Sequence, residues 1–168
     1  YDIIIKPEMS FGTGHHETTQ LMIDFLFEHN LENKKICDVG CGTGILSIIA
    51  EKIGASEIDA VDIEINCIEN TIENIDRNNC NRINTKLCSS EGLIGNTYDF
   101  ILSNITLNNL KGNFKNFKNL TNQNTILIVS GFYKKNLKNV NQMLENLGFE
   151  LIKFKTKNNW VASKYCCS

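Results

Sequence analysis

The stretch at residues 36–44, ICDVGCGTG, constrains the fold more than any other part of the chain. Its apolar start predicts a buried strand, and the apolar pattern from Ile45 onward predicts a helix directly after the glycines. Gly40, Gly42 and Gly44 allow a tight turn between the two and let a ligand lie against bare backbone. The stretch therefore predicts the first unit of a doubly wound α/β sheet, with a nucleoside-type ligand at the turn.

Two acids near this turn indicate which ligand it binds. Asp62 ends a second apolar run about 20 residues downstream, where such units place a carboxylate on the ribose hydroxyls. The dinucleotide fingerprint requires a third glycine where this chain has Ile45, and an extra acid, Asp38, precedes Gly40. An acid beside the turn suits a ligand that carries a positive centre and an amino group. The pattern predicts S-adenosylmethionine, contacted by Asp38, the three glycines and Asp62.

Length and composition favour one globular domain with its own core, since the chain has 168 residues of which 42% are hydrophobic. The first residue is Tyr1 and not Met, so we expect a fragment or a processed form that lacks upstream residues. The sequence contains no apolar stretch near the ~20 residues of a membrane span and no secretory signal pattern. We expect a soluble, cytoplasmic protein.

The seven cysteines include no C-x-x-C pair, which disfavours a zinc or redox site. Cys37, Cys41 and Cys88 lie in or beside predicted strands, where small buried side chains belong. We therefore expect reduced, structural thiols and no metal.

The net charge of -2 is unevenly distributed along the chain. Residues 1–110 contain 7 Lys or Arg and 17 Asp or Glu, whereas residues 111–168 contain 10 and 2. The basic part could approach an RNA-bearing assembly, or its lysines could simply be solvated. The sequence lacks the mixture of aromatic and basic residues that is diagnostic of nucleic-acid binding, so we expect no direct nucleic-acid recognition.

Helical and strand patterns alternate along the chain, as in a doubly wound sheet. Helices are predicted at residues 18–28, 45–53, 66–78, 107–120 and 135–147, and strands at 35–39, 57–61, 82–87, 99–104, 125–130, 149–155 and 159–164. The last two strands are predicted to form an antiparallel pair at the sheet edge. Ligands of such sheets bind beyond the carboxyl ends of the strands, so Gly40, Asp62 and Asn104 are expected to meet there.

Motifs along nearly the whole chain resemble those of one known family. They are MSFGTGHHETT at residues 9–19, DVGCGTG at 38–44, SNI at 103–105, SGFY at 130–133 and NNWVA at 158–162. The chain resembles the methyltransferases of large-subunit ribosomal protein L11. The resemblance implies the class I S-adenosylmethionine-dependent fold, which is Rossmann-like with a seven-stranded, mostly parallel sheet.

The resemblance also implies site residues and a domain organisation. By position, the family's cofactor contacts fall on Thr19, Gly40, Asp62 and Asn104. The chain departs from many relatives at Glu17, where they have Pro, and at residues 104–110, NITLNNL, where they have NILAGPL. The family carries an N-terminal substrate-recruiting domain that is missing here, so residues 1–168 are expected to form a single catalytic domain.

These motifs lead to a hypothesis of direct methyl transfer to a lysine side chain or an α-amine of a ribosomal protein, leaving S-adenosylhomocysteine. Asn104 is the candidate for aligning the amine, although it could instead cap the turn after its strand. His16, with His15, could accept the amine proton or close over the cofactor. Phe11 and Tyr133 could line the methyl-transfer channel or belong to the core. We expect a monomer that does not associate with membranes.

Two alternatives stay open. The chain could be a related methyltransferase that acts on another protein or on a small amine, although a glutamine-directed enzyme is disfavoured because such enzymes have NPPY where this chain has NITL. It could also be a non-catalytic module that binds the cofactor and docks on a partner.

Overall fold

The computed structural model describes residues 2–6 and 16–167 of the chain. Phe11 and His15 lie outside these residues, as do most of the FGTGHH motif and residues 1 and 168.

Seven strands form one mixed sheet in the described part of the chain. They are β1 (Lys35–Val39), β2 (Glu57–Asp62), β3 (Ile83–Leu87), β4 (Tyr98–Asn104), β5 (Thr121–Tyr133), β6 (Phe149–Lys157) and β7 (Trp160–Cys167). The strand order is β3-β2-β1-β4-β5-β7-β6. Strands β1 to β5 are parallel to one another, and β7 is antiparallel to both β5 and β6. The predicted seven-stranded sheet with its terminal antiparallel pair is confirmed.

Five α-helices in the described part of the chain cover the two faces of the sheet. They are α1 (Glu17–Leu26), α2 (Ile45–Lys52), α3 (Ile65–Arg77), α4 (Leu107–Asn119) and α5 (Leu137–Glu145). One apolar cluster joins α1 and α2 to one face of the sheet, and a second joins α4 and α5 to the opposite face. A smaller cluster contains Ile68 of α3 and Ala60 of β2. Successive strand residues alternate between the two larger clusters: Ile36 belongs to the first cluster and Cys37 to the second. The central strands are therefore buried on both sides, which explains why they read as continuous apolar runs.

The largest difference from the predicted elements is the length of β5. It extends over Thr121–Tyr133, whereas the sequence predicts only residues 125–130. Its polar start hides the strand pattern, and Gly131 resembles a strand end although pairing with β7 resumes beyond it. Helix α5 is shorter than predicted because a separate turn of 3-10 helix occupies Lys134–Asn136.

The described cysteines form no disulfide with one another. Cys37 and Cys41 are buried, whereas Cys88 is only half-buried and so departs from the expectation. None of the described helices combines the length and apolar character that crossing a membrane requires. Within residues 2–6 and 16–167, no cluster of three or more His, Cys, Asp or Glu side chains could hold a metal ion.

Candidate cofactor and acceptor site

A cavity of about 350 Å³ opens at the carboxyl ends of β1, β2 and β4. Its wall is formed by the backbone of the glycine turn, by polar side chains at strand ends and by apolar side chains. The lining residues are His16, Thr18, Thr19, Gly40, Cys41, Gly42, Ile45, Leu46, Asp62, Cys67, Asn104, Ile105, Thr106, Asn109, Gly131 and Trp160. Gly40, Asp62 and Asn104, which are far apart in sequence, thus share one cleft.

The turn between β1 and α2 requires its glycines. Gly40, Gly42 and Gly44 have φ angles of 78°, 57° and 76°, a region that disfavours residues with a Cβ. A Cβ at Gly44 would also lie 2.8 Å from Thr71 Cγ2, a methyl group of α3. The N–H of Gly40 donates to the carbonyl of Val61 at 2.8 Å, which fixes the turn against β2. The turn therefore presents main chain to the cavity.

Asp62 ends β2 and connects it to this turn. Its Oδ2 accepts a hydrogen bond from the N–H of Gly42 at 3.1 Å, and its Oδ1 accepts one from the N–H of Glu64 at 3.0 Å. The carboxylate is thereby held at the cavity wall in a fixed orientation. Each oxygen keeps a further lone pair with which it can accept a hydrogen bond.

Asp38 lies behind the turn and is not part of the cavity wall. The side chain is buried, and its Oδ2 accepts a hydrogen bond from the hydroxyl of Ser47 at 2.7 Å. Its Oδ1 is buried without a hydrogen-bond partner. Burial raises the pKa of this carboxyl group to about 6; the Ser47 bond opposes the rise and the charge of Asp62 adds to it. Asp38 is thus an incompletely compensated acid next to the cleft.

Asn104 connects the end of β4 to α1. Its Nδ2 donates a hydrogen bond to Thr19 Oγ1 at 3.3 Å, and Thr19 is almost fully buried. This bond brings together two of the residues that the sequence analysis predicts to contact the cofactor. It also orients the amide of Asn104, whose carbonyl oxygen can accept a hydrogen bond from a ligand.

Ile105 follows Asn104 and passes between two glycines. A Cβ at Gly40 would lie 2.2 Å from Ile105 Cγ2, and a Cβ at Gly131 would lie 1.8 Å from the carbonyl oxygen of Ile105. The loop after β4 can therefore approach β1 and β5 only because both positions lack a side chain. Sequence reasoning missed this role of Ile105 and Gly131, although the SGFY motif contains the glycine.

His16 is the N-cap of α1. Its Nδ1 accepts a hydrogen bond from the N–H of Thr18 at 3.3 Å and lies 2.8 Å from Thr18 Oγ1. An Nδ1 that accepts from a backbone N–H has no proton of its own, so the neutral ring carries its proton on Nε2. In that tautomer Nε2 is a hydrogen-bond donor. The geometry favours the structural role of His16 over the predicted role as proton acceptor.

The aromatic side chain at the cavity is Trp160, a residue that the sequence analysis did not single out. Its ring makes an edge contact with His16, with 5.0 Å between centroids, and stacks on Tyr133 at 4.1 Å. Tyr133 is 44% exposed and supports Trp160 from outside the cavity wall. The NNWVA motif contains Trp160 and could have identified it as a residue of the site.

Cys67 also lines the cavity. Burial, followed by the charge of Asp62, raises the pKa of its thiol to about 11. The thiol therefore stays protonated at neutral pH and is a poor nucleophile.

The strand order, the terminal antiparallel strand and the cavity beyond the glycine turn define a class I methyltransferase fold. Solved structures with this architecture include the ribosomal protein L11 methylase from Lactobacillus delbrueckii subsp. bulgaricus. It is 26% identical to this chain, with a TM-score of 0.89 over 96% of this chain and 82% of the other. Magnesium protoporphyrin IX methyltransferase from Synechocystis PCC 6803, solved with bound SAM, aligns with a TM-score of 0.77 at 20% identity, covering 92% of this chain and 80% of that one, and shows the fold alone.

The particular family follows from sequence comparison. The model of the family described as ribosomal protein L11 methyltransferase (PrmA) matches residues 2–165, and the chain belongs to this family. Relatives described as ribosomal protein L11 methyltransferase include one from Bacteroides thetaiotaomicron, 39% identical over 166 residues, and one from Porphyromonas gingivalis, 38% identical over 165 residues. Each alignment covers 98% of this chain but only 59% and 57% of the relatives, respectively. The chain thus spans less than two thirds of their length.

Proposed function

We propose that the chain binds S-adenosylmethionine in the cavity and transfers methyl groups to amines of ribosomal protein L11, either lysine side chains or the α-amine. The observation that carries this proposal is the convergence of the glycine turn, Asp62 and Asn104 on one cleft in a member of this family. The product would be S-adenosylhomocysteine.

The residues of the cleft fit such a ligand. The turn offers backbone without side chains to the adenosyl part, and the oriented carboxylate of Asp62 can accept hydrogen bonds from two ribose hydroxyls. Asp38 places a poorly compensated acid behind the turn, which suits a cationic ligand. The remaining proposed contacts with the cofactor are Thr19, Gly40, Gly42, Gly44 and Asn104.

When bound, S-adenosylmethionine supplies a sulfonium methyl group that a neutral amine can take by direct displacement. The chain's own task is then to align that amine and to keep it neutral. The carbonyl oxygen of Asn104 can accept an amine hydrogen, and its amide is already held by Thr19. Ile105 and Trp160 provide an apolar wall that disfavours a charged ammonium group.

We assign no proton transfer to His16, because its Nδ1 is engaged in capping α1. Its proposed role is to fix the start of α1 and to support Trp160 at the cavity edge.

The test is incubation of ribosomal protein L11 with this chain and isotope-labelled S-adenosylmethionine, followed by mass spectrometry of the intact protein and its peptides. We expect added methyl groups on amines and release of labelled S-adenosylhomocysteine. Asn104→Ala is expected to bind the cofactor more weakly and to lose most of the transfer even at saturating cofactor. Cofactor binding without methylation of L11 would contradict the assignment of the substrate.

A substrate panel decides between the alternatives. Transfer to another protein or to a small amine, but not to L11, would indicate the related enzyme. Failure to form S-adenosylhomocysteine with any acceptor would indicate a non-catalytic module.

We further propose that residues 1–168 form one catalytic domain, that the chain acts as a monomer and that it recognises its protein substrate without direct nucleic-acid contacts. The proposed ribosomal protein substrate supports the further proposal that the reaction takes place in the cytoplasm.

A further inference from the structure

The back of the glycine turn is held by two polar side chains of α3. The hydroxyl of Thr71 donates to the carbonyl of Gly42 at 2.9 Å, and Nδ2 of Asn74 donates to the carbonyl of Thr43 at 2.9 Å. The two side chains are three residues apart and so lie on the same face of the helix. They draw two carbonyls of the turn away from the cavity.

Asn74 also binds a segment from the beginning of the chain. Its Oδ1 accepts a hydrogen bond from the N–H of Lys6 at 2.9 Å. One helical turn further on, Asn78 accepts from the N–H of Ile4 at 3.0 Å and donates to the carbonyl of Ile4 at 2.7 Å. Residues 2–6, which we call the N-terminal segment, are thus attached to α3 by backbone hydrogen bonds. The ion pair between Lys6 and Glu73, at 3.0 Å, adds a contact at the surface.

Asn74 is the residue that belongs to both sets of contacts. Its side chain is completely buried, and its second amide hydrogen reaches Oδ1 of Asn70 at 3.0 Å. Asn78 contacts the N-terminal segment and the backbone of Asn74 but does not contact the turn. A buried amide whose donors and acceptor are all used fixes the positions of its partners, because losing any one bond leaves a polar group unsatisfied.

We propose that Asn74 is a positioning residue of the cofactor site: it joins the N-terminal segment to the back of the glycine turn, so that attachment of the segment and cofactor binding favour each other. The inference rests on the proposed function. Cofactor binding and attachment of the N-terminal segment are then linked in both directions: a ligand that orders the turn must also stabilise the attached segment.

Asn74→Leu and Asn78→Leu form a matched pair of variants for the test. Both remove a buried amide, from α3 or from its C-cap, and at least one bond to the N-terminal segment, but only Asn74→Leu removes a hydrogen bond to the glycine turn. We expect the dissociation constant of S-adenosylmethionine, measured by isothermal titration, to rise about tenfold in Asn74→Leu and less than threefold in Asn78→Leu. Equal changes in the two variants, or no change in Asn74→Leu, would overturn the proposal. Asn74→Ser removes the same contact if Asn74→Leu does not fold.

Hydrogen exchange gives a second readout that does not depend on activity. In the free protein, Asn74→Leu is expected to speed exchange at residues 40–45 more than Asn78→Leu does, because Asn78→Leu acts on the turn only through the segment. In the unsubstituted chain, S-adenosylhomocysteine should slow exchange in residues 2–6 as well as in the turn; slowing in the turn alone would contradict the linkage. If the unsubstituted chain bound no cofactor, the proposed function would be wrong, while faster exchange in Asn74→Leu would still support the positioning role.

Discussion

Asp62 illustrates how one side chain can organise a binding site before the ligand arrives. Both of its oxygens accept hydrogen bonds from backbone N–H groups, one of them in the glycine turn. The carboxylate therefore loses little freedom on binding, which is the advantage of a preorganised contact. Its position also ties the turn to the end of β2.

We expect Asp62→Ala to weaken S-adenosylmethionine binding by roughly tenfold to hundredfold, because hydrogen bonds to a charged group are worth about 1.5 to 3 kcal/mol. Isothermal titration measures the change. Glu64→Ala, an exposed acid two residues away, is the control and should bind almost normally. Unchanged affinity in Asp62→Ala would remove this residue from the site.

Asp38 should leave a signature in the pH dependence of stability. Its pKa is raised from 3.8 to about 6 in the folded chain, so the folded state holds the proton more tightly than the unfolded state. Stability due to this group is therefore lost as pH rises from about 4 to about 6. Asn does not titrate, so Asp38→Asn does not lose this contribution as pH rises. Relative to the unsubstituted chain, the free energy of unfolding of Asp38→Asn should therefore increase by on the order of 3 kcal/mol across this range.

Chemical denaturation of both proteins at a series of pH values tests this expectation. The difference between them should grow through the window and level off above it. A difference that does not vary with pH would show that Asp38 is not titrating as its burial implies.

At the scale of elements, the carboxyl ends of β1, β4 and β5 depend on close backbone contacts. The loop after β4 lies against Gly40 on one side and Gly131 on the other, and Ile105 fills the space between. Gly131 has a φ angle of 95° and sits where the pairing of β5 with β7 shifts register. This irregularity leaves room for the loop that follows Asn104.

Gly131→Ala is expected to destabilise the fold by about 2 to 4 kcal/mol, from backbone strain plus the clash with the Ile105 carbonyl, and to lower methyl transfer by displacing Asn104. Urea unfolding and the transfer assay measure the two effects. Gly112→Ala is the matched control: Gly112 lies inside α4, and a Cβ there meets no atom within 4 Å. It should stabilise the chain by about 0.5 to 1 kcal/mol. Equal stability of the two variants would contradict the packing described here.

Some elements of the fold could be predicted from the sequence and others could not. Strands β1 and β2 and the turn between β1 and α2 were predictable, because apolar runs and glycines record local backbone requirements. The meeting of Gly40, Asp62 and Asn104 followed from the general rule for open parallel sheets. The positions of Ile105 against Gly131 and of Trp160 against His16 were not predictable, because they depend on side chains brought together by tertiary packing.

Viewed over the whole molecule, part of the uneven charge is neutralised by ion pairs between elements. Lys153, Lys155 and Lys164, from the basic part of the chain, all contact the carboxylate of Glu28 at 2.9 to 3.1 Å. Hydrogen bonds from Lys153 and Lys155 are the main reason that the pKa of Glu28 falls to about 2. These lysines connect β6 and β7 to Glu28, just after α1. This supports the interpretation that they stabilise the fold.

The relatives are longer than this chain, which leads to a prediction about substrate recruitment. We expect a polypeptide of residues 1–168 to bind S-adenosylmethionine about as well as the full-length Bacteroides thetaiotaomicron relative does, since the cleft lies within the shared region. It should methylate ribosomal protein L11 with a higher KM, because the recruiting domain implied by the family resemblance is not in that polypeptide. Steady-state kinetics on L11 compare the two, and an equal KM would show that recruitment resides in residues 1–168.

The most direct test of the account is a crystal structure of this chain with S-adenosylhomocysteine. We predict that the adenosyl part lies against Gly40, Gly42 and Gly44, with the ribose hydroxyls within hydrogen-bond distance of the Asp62 carboxylate. An adenosyl part bound anywhere else on the molecule would contradict the central claim.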